Sequence, residues 1–256
     1  MRVGRVEAGG EIHYCEPDGD GVRLLDGSIA DGFARSSRRL AVGEYRQLSP
    51  VQPGKMLVVL GAFRPEQPPE FAAKLPSTVI APGADIVVPP EIGDAVTVEP
   101  ELAVVISTRV HRCSPAEAIT AVFGYTCFND VTHLPFIREH NDFLRAKSID
   151  TFGPCGPWID TELAEADVDA GLAITAYVND VMVHSGNTKE FTNRVRDVVS
   201  EAGRFYTLEP GDVISLGTPP GPALAAVGDS VRIEIEKVGS LTNGIVAGGR
   251  IGDSRA

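Results

Sequence analysis

Apolar and polar positions fall in short runs along the chain, each closed by glycine, proline, asparagine or aspartate, and this pattern predicts a β-rich fold. Within the first fifty residues, MRVGRVEA and VRLLDGSIADGF read as short strands, with turns at Gly9-Gly10 and Asp26-Gly27. Residues 48–55 form a proline-rich connection, and MLVVLGAF beyond it reads as a buried strand. Residues 79–108 read as strands separated by turns. The apolar run Leu102 to Ile106 predicts a strand buried on both faces. YTCFNDVT, LAITAYVND, VMVHSGN, GDVISLGT and GDSVRIEIEKV add further strands, with a last short one after them.

Helical periodicity is sparse. Ser114 opens SPAEAITAVFG as an N-cap, with Pro115 at the first helical position, Glu117 three residues on and Gly124 as the end. Asn187 or Thr188 caps TKEFTNRVRDVVSEAG, which ends at Gly203. The expectation is a mainly β (α+β) chain with two or three helices: a small N-terminal β module over residues 1–50, then one larger domain over 51–256.

Composition narrows the partners. The 256 residues carry a formal net charge of -12, which disfavours nucleic acid and anionic membrane surfaces. The same field repels an anionic substrate unless a metal or local basic residues reverse the sign. Cys15, Cys113, Cys127 and Cys155 lack C-x-x-C spacing and read as small buried residues of a reducing compartment. Without an apolar leader or a membrane-length apolar run, the chain reads as cytoplasmic.

Candidate chemistry lies in five places. Glu99 and Glu101 are two apart in an extended stretch, so their side chains share a face, where two like charges are costly unless a cation neutralises them. Taken alone, such a pair is more often two solvated glutamates. Asp130, in Phe-Asn-Asp-Val-Thr, offers a third carboxylate, or an Asx turn at a strand end. Lys147 leads into the Gly/Pro-rich stretch 149–158, read as a rigid loop. Gly217 and Thr218 begin Gly-Thr-Pro-Pro-Gly, whose free N–H groups and hydroxyl suit a carboxylate, although a plain turn has the same sequence.

Together, and in order, Glu-Pro-Glu-Leu-Ala-Val-Val-Ile, Phe-Gly-Tyr-Thr-Cys-Phe-Asn-Asp-Val-Thr, Ala-Lys-Ser-Ile-Asp-Thr-Phe-Gly-Pro-Cys-Gly-Pro-Trp, Val-Asn-Asp…Gly-Asn-Thr and Leu-Glu-Pro-Gly-Asp-Val-Ile-Ser-Leu-Gly-Thr-Pro-Pro-Gly resemble the fumarylacetoacetate hydrolase family, from about residue 50 to 246. The resemblance implies a mixed β-sandwich roll and a homodimer. It also implies Mg²⁺ or Mn²⁺ held by Glu99, Glu101 and Asp130, an all-oxygen set suited to a hard cation. Lys147 matches the family's active-site lysine, Thr218 the threonine that contacts a substrate carboxylate, and Lys74 a lysine after the lid segment. The implied substrate is a small 2-oxo acid whose carbonyl is polarised toward an enolate.

The chain departs from the family pattern in three places. Family hydrolases carry a His-x-x-Glu lid that activates water. Here residues 60–72 hold three prolines and no histidine, leaving Glu66 or Glu70 as substitute bases. An arginine and glutamine expected shortly after Asp130 are replaced by Thr132-His133-Leu134-Pro135-Phe136, and His184 stands where a glutamine is common. His133 and His184 are therefore candidate proton-transfer residues, though a lone histidine is more often structural. Arg138 or Arg145 is a candidate for a second substrate carboxylate. A missing lid dyad fits decarboxylation or tautomerisation, as in the isomerase/decarboxylase branch of aromatic catabolism, better than water attack. The alternatives are a C–C hydrolase with a substitute base and a non-catalytic metal- or acid-binding member.

Overall fold

In the computed structural model, which describes residues 1–64, 68–221 and 223–249, the N-terminal segment is an antiparallel meander. Its strands are β1 (Arg2–Ala8), β2 (Glu11–Asp18), β3 (Gly21–Ser28) and β4 (Gly32–Leu40), with β5 (Arg46–Leu48) on the other side of β1. Gly9 and Gly10, both at positive φ, make the expected turn. The turn expected at Asp26-Gly27 lies instead at residues 29–31. Gly27 stays in the ladder opposite Phe33, and a Cβ there would sit 2.1 Å from the Gly32 carbonyl oxygen. The glycine serves close strand approach, not chain reversal.

The remaining chain supplies β6 (Met56–Leu60), β7 (Glu70–Lys74), β8 (Val79–Ile80), β9 (Ile86–Val88), β10 (Ala95–Thr97), β11 (Pro100–Ile106), β12 (Val122–Asn129) and β13 (Gly153–Asp160). After these come β14 (Ala173–Val178), β15 (Val181–Asn187), β16 (Val213–Ser215), β17 (Leu224–Ala226), β18 (Ser230–Ile235) and β19 (Gly239–Ala247). One large sheet runs β4-β3-β2-β1-β13-β12-β11-β16-β6-β7, so β1 joins the meander to the rest through β13. A second sheet, β15-β14-β18-β19-β9, packs over β11 and β12, and β10 pairs with β17. The fold is mainly β, as the punctuated pattern predicts.

Strand β11 explains why the two layers hold together. All seven of its residues are buried. Leu102, Val104 and Ile106 face the larger apolar cluster, shared with Ala176, Ile233 and Leu241 of the second sheet. Ala103 and Val105 face the opposite cluster, with Val58, Phe128 and Ile159. Each fully buried Leu, Val or Ile side chain contributes about 1.5–3 kcal/mol, so β11 anchors both faces.

Five α-helices are present among the described residues, more than the two or three expected: α1 (Pro115–Ala118), α2 (Leu134–His140), α3 (Phe143–Lys147), α4 (Glu165–Ala170) and α5 (Val195–Phe205). The capping box at Ser114 and Glu117 forms, but the helix gives way to a 3₁₀ turn at 119–121, and Val122 already belongs to β12. Gly124 is therefore a strand residue. A Cβ there would lie 2.4 Å from the Asp160 carbonyl oxygen. The helix expected over 188–203 is a 3₁₀ turn at 188–190, capped by Asn187, and then α5 from Val195. The stretch read as a rigid Gly/Pro loop before Trp158 is largely β13, in the middle of the large sheet. No helix among the described residues is long and apolar enough to cross a membrane.

Candidate metal and substrate site

Sheet register builds the site. In the β11–β12 ladder Pro100 lies opposite Asn129, so Glu99 and Asp130, one residue beyond each end, face each other. The Asp130 N–H donates to the Glu99 carbonyl at 3.0 Å, and the Glu99 N–H donates to the Asn129 side-chain oxygen at 3.1 Å. Glu101 reaches the same place from within β11. One carboxylate oxygen from each of Glu99, Glu101 and Asp130 lies within 4.8 Å of the others. Glu101 and Asp130 are each 1% exposed, so the two are not surface acids.

Two lysines meet this cluster. Lys147 ends α3, a one-turn helix capped by Asp142. Its ammonium donates to Glu99 Oε2 at 3.0 Å, to Thr132 Oγ1 at 3.0 Å and to Asp130 Oδ2. Lys74 ends β7, with no exposed side-chain surface, and donates to Asp130 Oδ1 at 2.6 Å and to the Val131 carbonyl at 3.0 Å. Three carboxylates against two ammoniums leave one formal negative charge in a water-poor place.

The environment drives the acids apart. Burial pushes Glu99 up, with the Asp130 charge adding and Lys147 opposing. Burial and then Asp130 push Glu101 well above the usual carboxylate range. For Asp130 the burial penalty is outweighed by Lys147 and Lys74, which hold it below its ordinary value. Burial works against the Lys147 charge too, but Asp130, Glu99 and Glu101 outweigh it and its pKa rises. Lys74 is pushed down by burial, opposed by Asp130.

The loop after β16 closes the other side. Glu101 Oε2 accepts from Ser215 Oγ and, at 3.0 Å, from the Gly217 N–H. Gly217, expected to offer that N–H to a substrate, here spends it on the carboxylate cluster. Its φ of 94° and a Cβ position 2.5 Å from Ala62 Cβ require glycine. Thr218 Oγ1 is buried with no hydrogen-bond partner. Burying a hydroxyl unpaired is costly, so Thr218 carries an unmet hydrogen bond in the loop whose Gly217 holds Glu101.

The remaining candidates have other partners than the three carboxylates. The Nε2 of His184, in β15, donates to the Gly221 carbonyl at 2.7 Å, tying β15 to the end of the Gly-Thr-Pro-Pro-Gly loop, and burial pushes its pKa down. His133 precedes α2, with its ring against Phe136 at 4.6 Å and its Nδ1 buried without a partner. Burial lowers its pKa as well. Arg145 stacks on Phe136 at 3.9 Å and pairs with Asp142 at 3.2 Å, facing outward. Glu70 is exposed at the start of β7, and Glu66 lies outside the described residues.

The sequence reading did not single out Thr132 as a partner of Lys147, or Asn129 and Ser215 as supports of the glutamates. A signal was available for each. Asn129 and Thr132 flank Asp130, and Ser215 lies two residues before Gly217.

Buried, all-oxygen donors of net negative charge fit a hard divalent cation. A family model described as "Fumarylacetoacetate (FAA) hydrolase C-terminal" matches residues 52–246, and one described as "Rv2993c-like, N-terminal" matches residues 1–50. The chain is 35% identical over 191 residues to human "Oxaloacetate tautomerase FAHD2A, mitochondrial", covering 71% of this chain and 60% of that protein. Among solved structures it is similar to 5-carboxymethyl-2-hydroxymuconate delta-isomerase from Mycobacterium smegmatis, with TM-score 0.89, 29% identity and coverage of 97% of this chain and 100% of that one. It is also similar to maleylpyruvate hydrolase from Sphingobium sp. SYK-6 in complex with manganese (II) ion and pyruvate, with TM-score 0.79, 26% identity and the same coverage.

Proposed function

The chain belongs to the fumarylacetoacetate hydrolase family of enzymes, and from that premise we propose that it acts on a small 2-oxo or 2-hydroxy-dienoic acid by tautomerisation or decarboxylation at Glu99, Glu101 and Asp130. These three residues would hold Mg²⁺ or Mn²⁺. When bound, the cation would supply electrophilic stabilisation of the charge that develops as a C–H or C–C bond beside the 2-oxo group breaks.

The protein's own groups divide the remaining work. Lys147, kept charged by Asp130 and Glu99, would stabilise an enolate oxygen or substrate carboxylate through its positive charge, its three N–H groups being taken by Glu99, Asp130 and Thr132. Thr218 offers its unpartnered hydroxyl to a substrate carboxylate. Lys74 holds Asp130 from behind, and Ser215 with Gly217 fixes Glu101. His184 positions the Thr218 loop through Gly221, and His133 is the candidate for a proton-transfer role. A homodimer in the cytoplasm, serving aromatic catabolism, belongs to the same reading and rests on the family resemblance.

The observation that carries the proposal is the cluster of three carboxylates, two of them almost fully buried, in which Lys147 meets Glu99 and Asp130 and Gly217 meets Glu101. The missing His-x-x-Glu in residues 60–72 favours enolate chemistry over hydrolysis. Product analysis by NMR tests this. The protein, with Mg²⁺ or Mn²⁺ and with EDTA as control, is incubated with oxaloacetate, an acylpyruvate and a 2-hydroxy-dienedioate. Metal-dependent double-bond migration or CO₂ loss is expected. Acid release from the acylpyruvate would move the hydrolase reading ahead, and inertness toward all three would count against the named substrate class.

A further inference from the structure

A groove that the carboxylate site does not use runs between the N-terminal meander and the rest of the chain. One part is a cavity of about 490 Å³ whose lining includes Arg5, Leu48, Ser49, Gln52, Ser77 and Ile80. A second cavity of about 410 Å³, reaching Tyr14, Ile29 and Pro210, shares Arg5 and Gln52 with the first. Arg5 thus stands between two hollows of ligand size.

Its electrostatic situation differs from that of most arginines in this segment. Arg23, Arg35, Arg39 and Arg46 each pair with a carboxylate. Arg5 makes no ion pair among the described residues, a state it shares only with the exposed Arg38 of β4 in this segment. Its guanidinium has only long contacts, 3.5 Å to the Ser49 carbonyl and 3.4 Å to the Gln52 side-chain oxygen, beyond the usual hydrogen-bond range. Leu48, Val51, Val79 and Ile80 make the surroundings apolar. A charged fork between apolar walls is the complement of a small amphiphilic anion.

We propose that this groove binds a small organic anion, a carboxylate or sulfonate on an apolar body, with Arg5 as its anchor. Its lining is joined through the chain to the elements that build the carboxylate site. Residues 76–84 follow directly on Lys74, which donates to Asp130, and residues 48–52 lead into β6. Ligation here therefore bears on the segment that seats Lys74, as an effector site would.

The test uses the full chain and the fluorescent probe 1-anilinonaphthalene-8-sulfonate. Saturable binding of one probe per chain is expected, displaced by octanoate but not by 1-octanol at equal concentration. Arg5→Gln should weaken binding at least about tenfold, the worth of a charged hydrogen bond. Ser77→Trp, at an exposed lining position, should block it while leaving the melting temperature and Mn²⁺ affinity unchanged. Absence of saturable binding, equal displacement by octanol, or Ser77→Trp protein that binds like wild type would each overturn the proposal.

Discussion

Lys147→Met should give a protein that is weaker without metal and binds metal more tightly. The Lys147 ammonium is 3.0 Å from Glu99 Oε2 and touches Asp130 as well. At an effective dielectric of about 20, one such contact is worth about 5.5 kcal/mol before desolvation. Burying the ammonium and the acids costs several kcal/mol per ion, so the gross figure is largely offset. Methionine removes that positive charge and leaves three carboxylates with Lys74 alone, raising the cluster from one to two formal negative charges. Removing one partner of a buried pair typically costs about 3–5 kcal/mol. At about 2–4 °C per kcal/mol for a chain of this size, melting in EDTA should fall by roughly 6–20 °C. A divalent cation restores the missing charge and no longer meets a neighbouring ammonium. Mn²⁺ affinity should therefore rise at least about tenfold, and Mn²⁺ should recover most of the lost melting temperature, while turnover is lost. Calorimetric titration and thermal melts with and without EDTA read both quantities. An unchanged melting temperature in EDTA, or weaker Mn²⁺ binding, would refute the charge argument.

Other perturbations probe separate parts of the site. Glu101→Gln keeps an acceptor for Ser215 and Gly217 but removes one anionic ligand. Mn²⁺ affinity should drop at least about a hundredfold, or about 2.7 kcal/mol, with no loss of metal-free stability, and equal affinity would exclude Glu101 as a ligand. Thr218→Val deletes a hydroxyl that makes no hydrogen bond in the protein. Melting should be unchanged or higher while KM for the substrate rises about tenfold, and an unchanged KM would remove Thr218 from substrate contact. Far from the site, Glu165 accepts from the Arg196 N–H at 2.9 Å and from its guanidinium. Burial raises the Glu165 pKa, but the Arg196 bonds outweigh it and hold it below its ordinary value. That stability is present above the unfolded glutamate pKa and fades as pH falls through the lowered one. Glu165→Gln should thus cost about 1–2 kcal/mol at neutral pH, discounted because Arg196 is partly exposed, and denaturant melts should show the gap closing in acid. A gap that widens on acidification would reverse the sign.

The sequence carried the site better than the elements around it. That Glu99, Glu101, Asp130 and Lys147 come together was legible because five short motifs follow the family's order, and the two-sided burial of β11 was legible from an unbroken apolar run. The α2–α3 hairpin that delivers Lys147 was not. α2 buries none of its residues and starts beside Pro135, so no apolar stripe marks it. β13 was hidden by its glycines and prolines, which normally argue against a central strand. Here the space around Gly156 is already taken, with a Cβ position only 2.9 Å from Pro50 Cδ. β2 was overlooked because Glu11 and Ile12 are exposed and His13 and Tyr14 half-buried, which gives no clean alternation. The full burial of Lys74 depends on contacts 56 and 57 residues away, at Asp130 and Val131, which local pattern does not encode. Gly217 was assigned to a ligand because its partner, Glu101, lies 116 residues earlier in the chain.

The most direct test is to titrate Mn²⁺ into metal-stripped protein while following both bound ion, by electron paramagnetic resonance, and conversion of oxaloacetate, by NMR. The account predicts one ion per chain, turnover rising in proportion to occupancy, and loss of both in the Glu99→Gln, Glu101→Gln double variant. Turnover that persists in stripped protein, or Mn²⁺ bound undiminished by the double variant, would contradict it.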